Sequence, residues 1–382
     1  MAIEDEFRER LSRRQTEGLL RILGPGRDLS KTDFFSNDYL GLSRDLTSDF
    51  AGNLPNPIQS GSTGSRLVSG NYRELEELEA ECAQFFHAPA CLFFANGFLA
   101  NLALLSSVGT KNDTYFYDEK CHVSLKDGMR LSLANRFSFR HNDPEDLKRK
   151  LKNNRGIGNR IVVVESIYSM DGDTCALAEL LNICETEGAY LIVDEAHSTG
   201  NLGPDGRGLV AALKLETKPL AIIYTFGKSL GAAGAVVACS ETTRNYLINF
   251  SHPFIYSTAP SPIQIWLCRL QLTRLKQEHW RLEQIQSRIR LWQKKVFSLS
   301  QAYSSNPQSP VQFISVAGNE VAKSLFNHLQ KLDIQIKPML SPTVPKGKER
   351  IRVSLHAYNS EAEIDRFLEA LKEFENNFRL MI

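Results

Sequence analysis

Ala221-Ile-Ile-Tyr-Thr-Phe-Gly-Lys-Ser-Leu-Gly-Ala-Ala-Gly234 runs from an unbroken apolar segment into a glycine-rich turn that carries one lysine. A short apolar run closed by glycines reads as a strand buried on both faces. In open α/β sheets, ligands gather outside the carboxyl ends of such strands. A lysine ordinarily lies on a solvated face, but this turn hands Lys228 to the sheet edge. A second strand, Tyr190-Leu-Ile-Val193, leads into Asp194-Glu-Ala-His197 and delivers a carboxylate and an imidazole to the same edge.

Amine, acid and imidazole together suit pyridoxal 5'-phosphate. The amine of Lys228 forms the Schiff base, Asp194 keeps the pyridinium nitrogen protonated, and His197 lies near the ring or its phenolic oxygen. A rival reading takes Asp194-Glu-Ala-His197 as the acidic box of a nucleic-acid helicase and Gly227-Lys-Ser229 as the end of a phosphate loop. It fails on context: such a loop needs a glycine five positions before its Gly-Lys pair, where this chain has Ile222, and it should precede the acidic box.

The chain has 382 residues, enough for two or three domains, and 45 basic against 44 acidic residues, a net charge of +1. That balance gives no overall field toward nucleic acid or an anionic membrane. Cys82, Cys91, Cys121, Cys175, Cys184, Cys239 and Cys268 are scattered, odd in number and without a Cys-x-x-Cys pair. The pattern fits reduced core thiols rather than a disulfide framework or a metal site. The amino terminus is too charged for a secretory signal and no apolar run reaches membrane-spanning length, so the cytoplasm is expected.

Ile3, Phe7, Leu11, Leu19 and Ile22 fall at helical spacing and predict an amphipathic helix over 3–23, ended by Gly24-Pro25-Gly26. It reads as an arm packed on the body, its arginines mostly solvated. Small residues dominate Ser60–Asn71, where backbone can approach a ligand or another subunit closely. Ala95-Asn96-Gly97 opens a helix whose first amides can receive a phosphate. Phe98, at that start, reads equally as a ring-stacking residue or plain core. Continuous apolar strands alternating with helices predict an α/β fold, a mainly parallel sheet covered on both faces. After 270 a connecting helical region with a solvated basic face leads into a smaller α/β unit. There Arg350 and Arg352 share a strand face, and either can clamp a carboxylate.

Asn37-Asp-Tyr-Leu-Gly-Leu42, Gly61–Asn71, Met170-Asp-Gly-Asp173, Asp194-Glu-Ala-His197, Thr225-Phe-Gly-Lys228 and Tyr256-Ser-Thr258 occur in an order that resembles the α-oxoamine synthases, fold-type-I enzymes dependent on pyridoxal phosphate. The resemblance spans nearly the whole chain. It implies an amino-terminal arm (1–50), a large cofactor-binding domain (51–270) and a carboxyl-terminal domain (271–382). It also implies decarboxylative condensation of an amino acid with an acyl thioester of coenzyme A or a carrier protein. The nearest branch is the biotin-pathway one that uses L-alanine and a pimeloyl group, and branches using glycine or serine stand as alternatives. A catalytically idle partner subunit is a further alternative, one that predicts a missing lysine or aspartate; both are present.

Carried onto this sequence, the resemblance implies that Lys228 is the Schiff-base lysine, Asp194 the pyridinium partner, His197 the ligand of the phenolic oxygen and His122 the ring-stacking residue in place of Phe98. Thr225 would bind the phosphate, with Gly97, Phe98 and Ser169 beside the cofactor. Ser257 and Thr258 would reach the phosphate of a neighbouring subunit in a homodimer. Arg21, Thr343 and Arg352 would contact the acyl donor or the amino-acid carboxylate, helped by Asn37.

Overall fold

The computed structural model describes residues 2–23, 26–44, 59–297, 303, 306–316 and 318–379. The break expected at Gly24-Pro25 and the boundary expected at 50/51 lie outside the described residues.

The large sheet is built from β2 (Ala90–Phe94), β3 (Thr114–Asp118), β4 (Asn135–Phe139), β5 (Arg160–Glu165), β6 (Tyr190–Asp194), β7 (Ala221–Thr225) and β8 (Ala235–Cys239). Their spatial order is β2-β8-β7-β6-β5-β3-β4. From β7 to β4 every pairing is parallel, while β8 runs antiparallel to both of its neighbours. The antiparallel strand follows from chain length. The turn Phe226–Gly234 is too short for a crossover helix and must reverse the chain, whereas the parallel strands are joined through helices. Gly231 makes the reversal possible: its φ is +65°, and a Cβ there would come within 2.5 Å of the Ser43 backbone nitrogen. Strands β5, β7 and β8 are almost wholly buried, as expected of strands in a sheet covered on both faces.

A three-stranded antiparallel sheet, β11 (Lys337–Met339), β12 (Arg350–Ser354) and β9 (Val311–Ser315), stands apart from the large one. The amino-terminal segment is stitched to this second unit by β1 (Thr32–Asp33), which pairs in parallel with β10 (Ile334–Gln335). The last helix opens with a reciprocal capping box, Ser360 N–H donating to Glu363 and Glu363 N–H to the Ser360 hydroxyl.

Three expectations are corrected. The arm helix spans Ile3–Thr16 rather than reaching residue 23, because Gly18 turns left-handed (φ +66°) and Leu19 N–H closes back on the Arg14 carbonyl. It is not packed on the body either, for none of its side chains is buried. The connecting region is two helices, Pro262–Gln277 and His279–Val296, broken at Glu278. Its arginines are not all solvated. Arg274 and Arg281 are buried, both pair with Glu278, and they donate to the carbonyls of Leu42 and Leu40, so they fix the segment that carries Asn37 and Tyr39.

Candidate active site

Register places the site. Glu165 of β5 lies opposite Asp194 of β6, and Asp194 lies opposite Ile223 of β7, so β5 and β6 end level while β7 runs two residues further to Thr225. Beyond their carboxyl ends is a cavity of about 370 Å³ whose walls include His122, Asp194, His197, Lys228 and, from the smaller sheet, Arg352.

Asp194 is buried with both carboxylate oxygens held: Asn101 Nδ2 donates to Oδ2 at 2.7 Å and Ala196 N–H to Oδ1 at 2.9 Å. The same Asn101 nitrogen reaches the Ser124 hydroxyl at 3.0 Å, which meets His122 Nδ1 at 2.7 Å. Because Ser124 N–H also donates to Nδ1, that nitrogen is the acceptor and the ring proton belongs on Nε2. Burial lowers the His122 pKa, with the Lys228 charge adding to the effect. His197 is buried, its Nδ1 at 2.8 Å from the Tyr39 hydroxyl, and burial holds its pKa well below the ordinary value, so its ring is neutral.

Burial also depresses the Lys228 ammonium, to about 8, against the pull of Asp194 and Glu165. Glu165 shifts the other way: burial and the neighbouring Asp194 charge raise its carboxyl, while His122 N–H donates to its Oε1. Thr225 Oγ1 donates to the Gly234 carbonyl and accepts from Gly227 N–H, which sets the turn that presents Lys228.

Of the residues expected here, Asn37, Gly97, Phe98, His122, Ser169, Asp194, His197, Thr225, Lys228 and Arg352 all line the cavity. Arg352 rather than Arg350 faces it. Arg352 Nε donates to the Ser169 carbonyl and Nη2 to Asn37 Oδ1 and the Tyr39 hydroxyl, whereas Arg350 is paired with Asp171. Four expected residues lie elsewhere. Arg21 is exposed beyond the arm helix, Thr343 is exposed in the turn after β11, and Ser257 and Thr258 line a separate small pocket beside Arg66. A single chain does not bring these four to its own cavity.

Tyr39, Asn101 and Glu165 escaped sequence reasoning. Tyr39 sits two residues after Asn37 and Glu165 closes β5, so position alone could have flagged both. Asn101 shows only as a polar residue among the apolar residues 97–105 of the helix Gly97–Val108.

These groups fit pyridoxal phosphate. Lys228 offers an amine and Asp194 a fixed carboxylate, with the neutral imidazoles of His122 and His197 lining the same cavity. The helix Gly97–Val108 starts at the cavity, where its first amides have no intrahelical partner. A Cβ at Gly97 would come to 3.3 Å from Thr225 Oγ1 and crowd it, so glycine leaves that cradle clearest.

Residues 30–371 match the family of class I and II aminotransferases. The chain belongs to this family. It is 32% identical over 382 residues to an 8-amino-7-oxononanoate synthase of Lysinibacillus sphaericus, the match covering 97% of this chain and 98% of the relative. The solved 8-amino-7-oxononanoate synthase of Francisella tularensis is 28% identical, with a TM-score of 0.74, 92% of this chain and 100% of that one covered. The serine palmitoyltransferase of Sphingomonas wittichii shares the fold at TM-score 0.88 and 23% identity, with 98% of each chain covered. Full-length likeness to 8-amino-7-oxononanoate synthases puts the aminotransferase-family chain among the α-oxoamine synthases, acyltransferases of fold type I that depend on pyridoxal phosphate.

Proposed function

We propose that the protein condenses L-alanine with a pimeloyl thioester to give 8-amino-7-oxononanoate, releasing the thiol and carbon dioxide, with two chains forming the working unit. The observation that carries this reading is the meeting of Lys228, Asp194 and Arg352 in one cavity. Pyridoxal phosphate, when bound, supplies a carbonyl for amines and a ring that accepts an electron pair.

The chain's own residues do the rest. Arg352, with Asn37 against its Nη2, offers a guanidinium to the amino-acid carboxylate. Lys228 Nζ, its pKa depressed by burial, is unprotonated often enough near neutral pH to take the proton from the α-carbon and return it later. Asp194, clamped by Asn101 and Ala196, keeps a negative charge where a protonated ring nitrogen needs one. Neutral His122 and His197 lie against the cavity without adding charge that would compete with Asp194.

Support for the pair of chains comes from Ser257 and Thr258, which stand away from the cavity of their own chain. The seven cysteines, all buried and unpaired, support a reducing compartment, the cytoplasm. No helix among the described residues is long and apolar enough to cross a membrane.

The test is thiol release by the purified protein with alanine, glycine or serine, each offered with pimeloyl, acetyl and palmitoyl thioesters. Fastest turnover is expected with alanine and pimeloyl. A clear preference for serine with palmitoyl, or for glycine with acetyl, overturns the assignment, and no release with any pair favours an idle partner subunit.

A further inference from the structure

A second pocket of about 290 Å³ opens beside the main cavity and shares Asn37, Met339 and Arg352 with it. Its other walls are Phe35, Ser36 and Lys337. Lys337 of β11 is the register partner of Arg352 of β12. Directly opposed residues of an antiparallel pair project to the same side, with Cβ atoms about 5 Å apart. Two cations therefore stand next to each other at the mouth of the cavity.

The next pair on the same face of the ladder, beyond Pro338 and Ile351, is Met339 and Arg350, and there the cation is neutralised by Asp171. Arg352 is held by a carbonyl, an amide oxygen and a hydroxyl, none of them charged. Lys337 makes no ion pair among the described residues, and its ammonium lies 5.9 Å from the centroid of the Phe35 ring. Like charges directly opposite destabilise a sheet. Arg352 is half-buried and serves the amino-acid carboxylate, whereas Lys337 is exposed at the edge of the pocket, its ammonium free to take a second anion that reaches in from the acyl donor.

We infer that Lys337 is the specificity residue for the acyl donor, binding the distal carboxylate of a dicarboxylic acyl thioester whose chain lies along Phe35 and Met339. This rests on the function proposed above and deepens it: a fatty acyl donor has no group for Lys337 to bind.

The experiment compares kcat/KM for pimeloyl-CoA and heptanoyl-CoA, acyl groups of equal length that differ in the terminal carboxylate, with alanine as co-substrate. The wild type should prefer pimeloyl-CoA by about tenfold or more, in line with one charge-assisted hydrogen bond. Lys337→Met should lose most of that preference through the KM for pimeloyl-CoA, leave the KM for alanine where it was, and use heptanoyl-CoA as well as the wild type does. Lys337→Arg should keep the preference.

Wild-type turnover with an unchanged preference in Lys337→Met overturns the inference alone. So does an equal rise in both KM values. Absence of alanine-dependent thiol release from pimeloyl-CoA in the wild type overturns the functional reading and this inference with it.

Discussion

Charge is dense at the carboxyl edge of β5–β7 and along the helix Ile3–Thr16, and the two regions treat it in opposite ways. At the sheet edge Asp194 and Glu165 are buried and each is held by fixed N–H donors, while burial shifts Lys228 away from its ordinary protonation. On the arm, Arg8 meets Glu4 and Asp5 in the open, on a helix that buries nothing. Burying a charge costs several kcal/mol unless it is paired and hydrogen-bonded; Arg274 and Arg281 meet that cost against Glu278 to hold a segment in place, whereas Asp194, Glu165 and Lys228 meet it around an open cavity. Exposed pairs form and break at almost no net cost. The comparison locates function where buried charge converges on a cavity, not where charge is merely dense.

Mutation can sharpen that contrast. The largest effect is expected at Lys228: Lys228→Ala should cut alanine-dependent thiol release by about 10³-fold or more, the loss expected when a covalent and proton-transferring amine is removed, while leaving the circular-dichroism melt intact. Turnover within about tenfold of wild type would break the contrast.

An intermediate effect is expected at His141, which bridges Asp118 at 2.9 Å and Asp173 at 2.6 Å, behind the loop whose Ser169 carbonyl receives Arg352. Burial pulls its pKa down, but the hydrogen bonds and charges of the two aspartates outweigh this and raise it to about 9. Since the folded value lies above the unfolded one, the stabilisation is full below about pH 6.5 and fades as pH rises through about 9. His141→Gln should therefore lower unfolding free energy by about 1–3 kcal/mol at pH 6, with the gap narrowing toward pH 9. Urea titrations at both pH values check this, and a gap that widens with pH would contradict it. The smallest effect belongs to the arm, where Arg8→Ala should leave the thermal midpoint unmoved at low and high salt.

Much of this arrangement is legible in the linear chain, for a definite reason. Parallel strands buried on both faces are continuous apolar runs, so Ile161–Val164, Leu191–Val193 and Ala221–Tyr224 announce themselves, and the polar residue closing each run must lie at the sheet edge. Asp194 and Lys228 are readable because the first closes its strand and the second comes three residues after its own. Asn101, Tyr39 and the buried arginines are not. Asn101 and Tyr39 matter through the atoms they hold, which come from segments 93 and 158 residues away. Arg274 and Arg281 resemble a solvated basic face until the carbonyls of Leu42 and Leu40 are placed against them. The unpacked arm was equally hidden, since a stripe such as Ile3, Phe7 and Leu11 predicts a covered face without saying by what.

The central claim is that Lys228 and Asp194 hold pyridoxal phosphate between them. Its most direct test is borohydride reduction of the purified protein followed by peptide mass mapping, on the wild type and on Asp194→Asn. The account predicts the cofactor's mass on the Lys228 peptide in both proteins, with alanine-dependent turnover lost in the variant. An adduct on a different lysine, no adduct in the wild type, or full turnover in Asp194→Asn would contradict it.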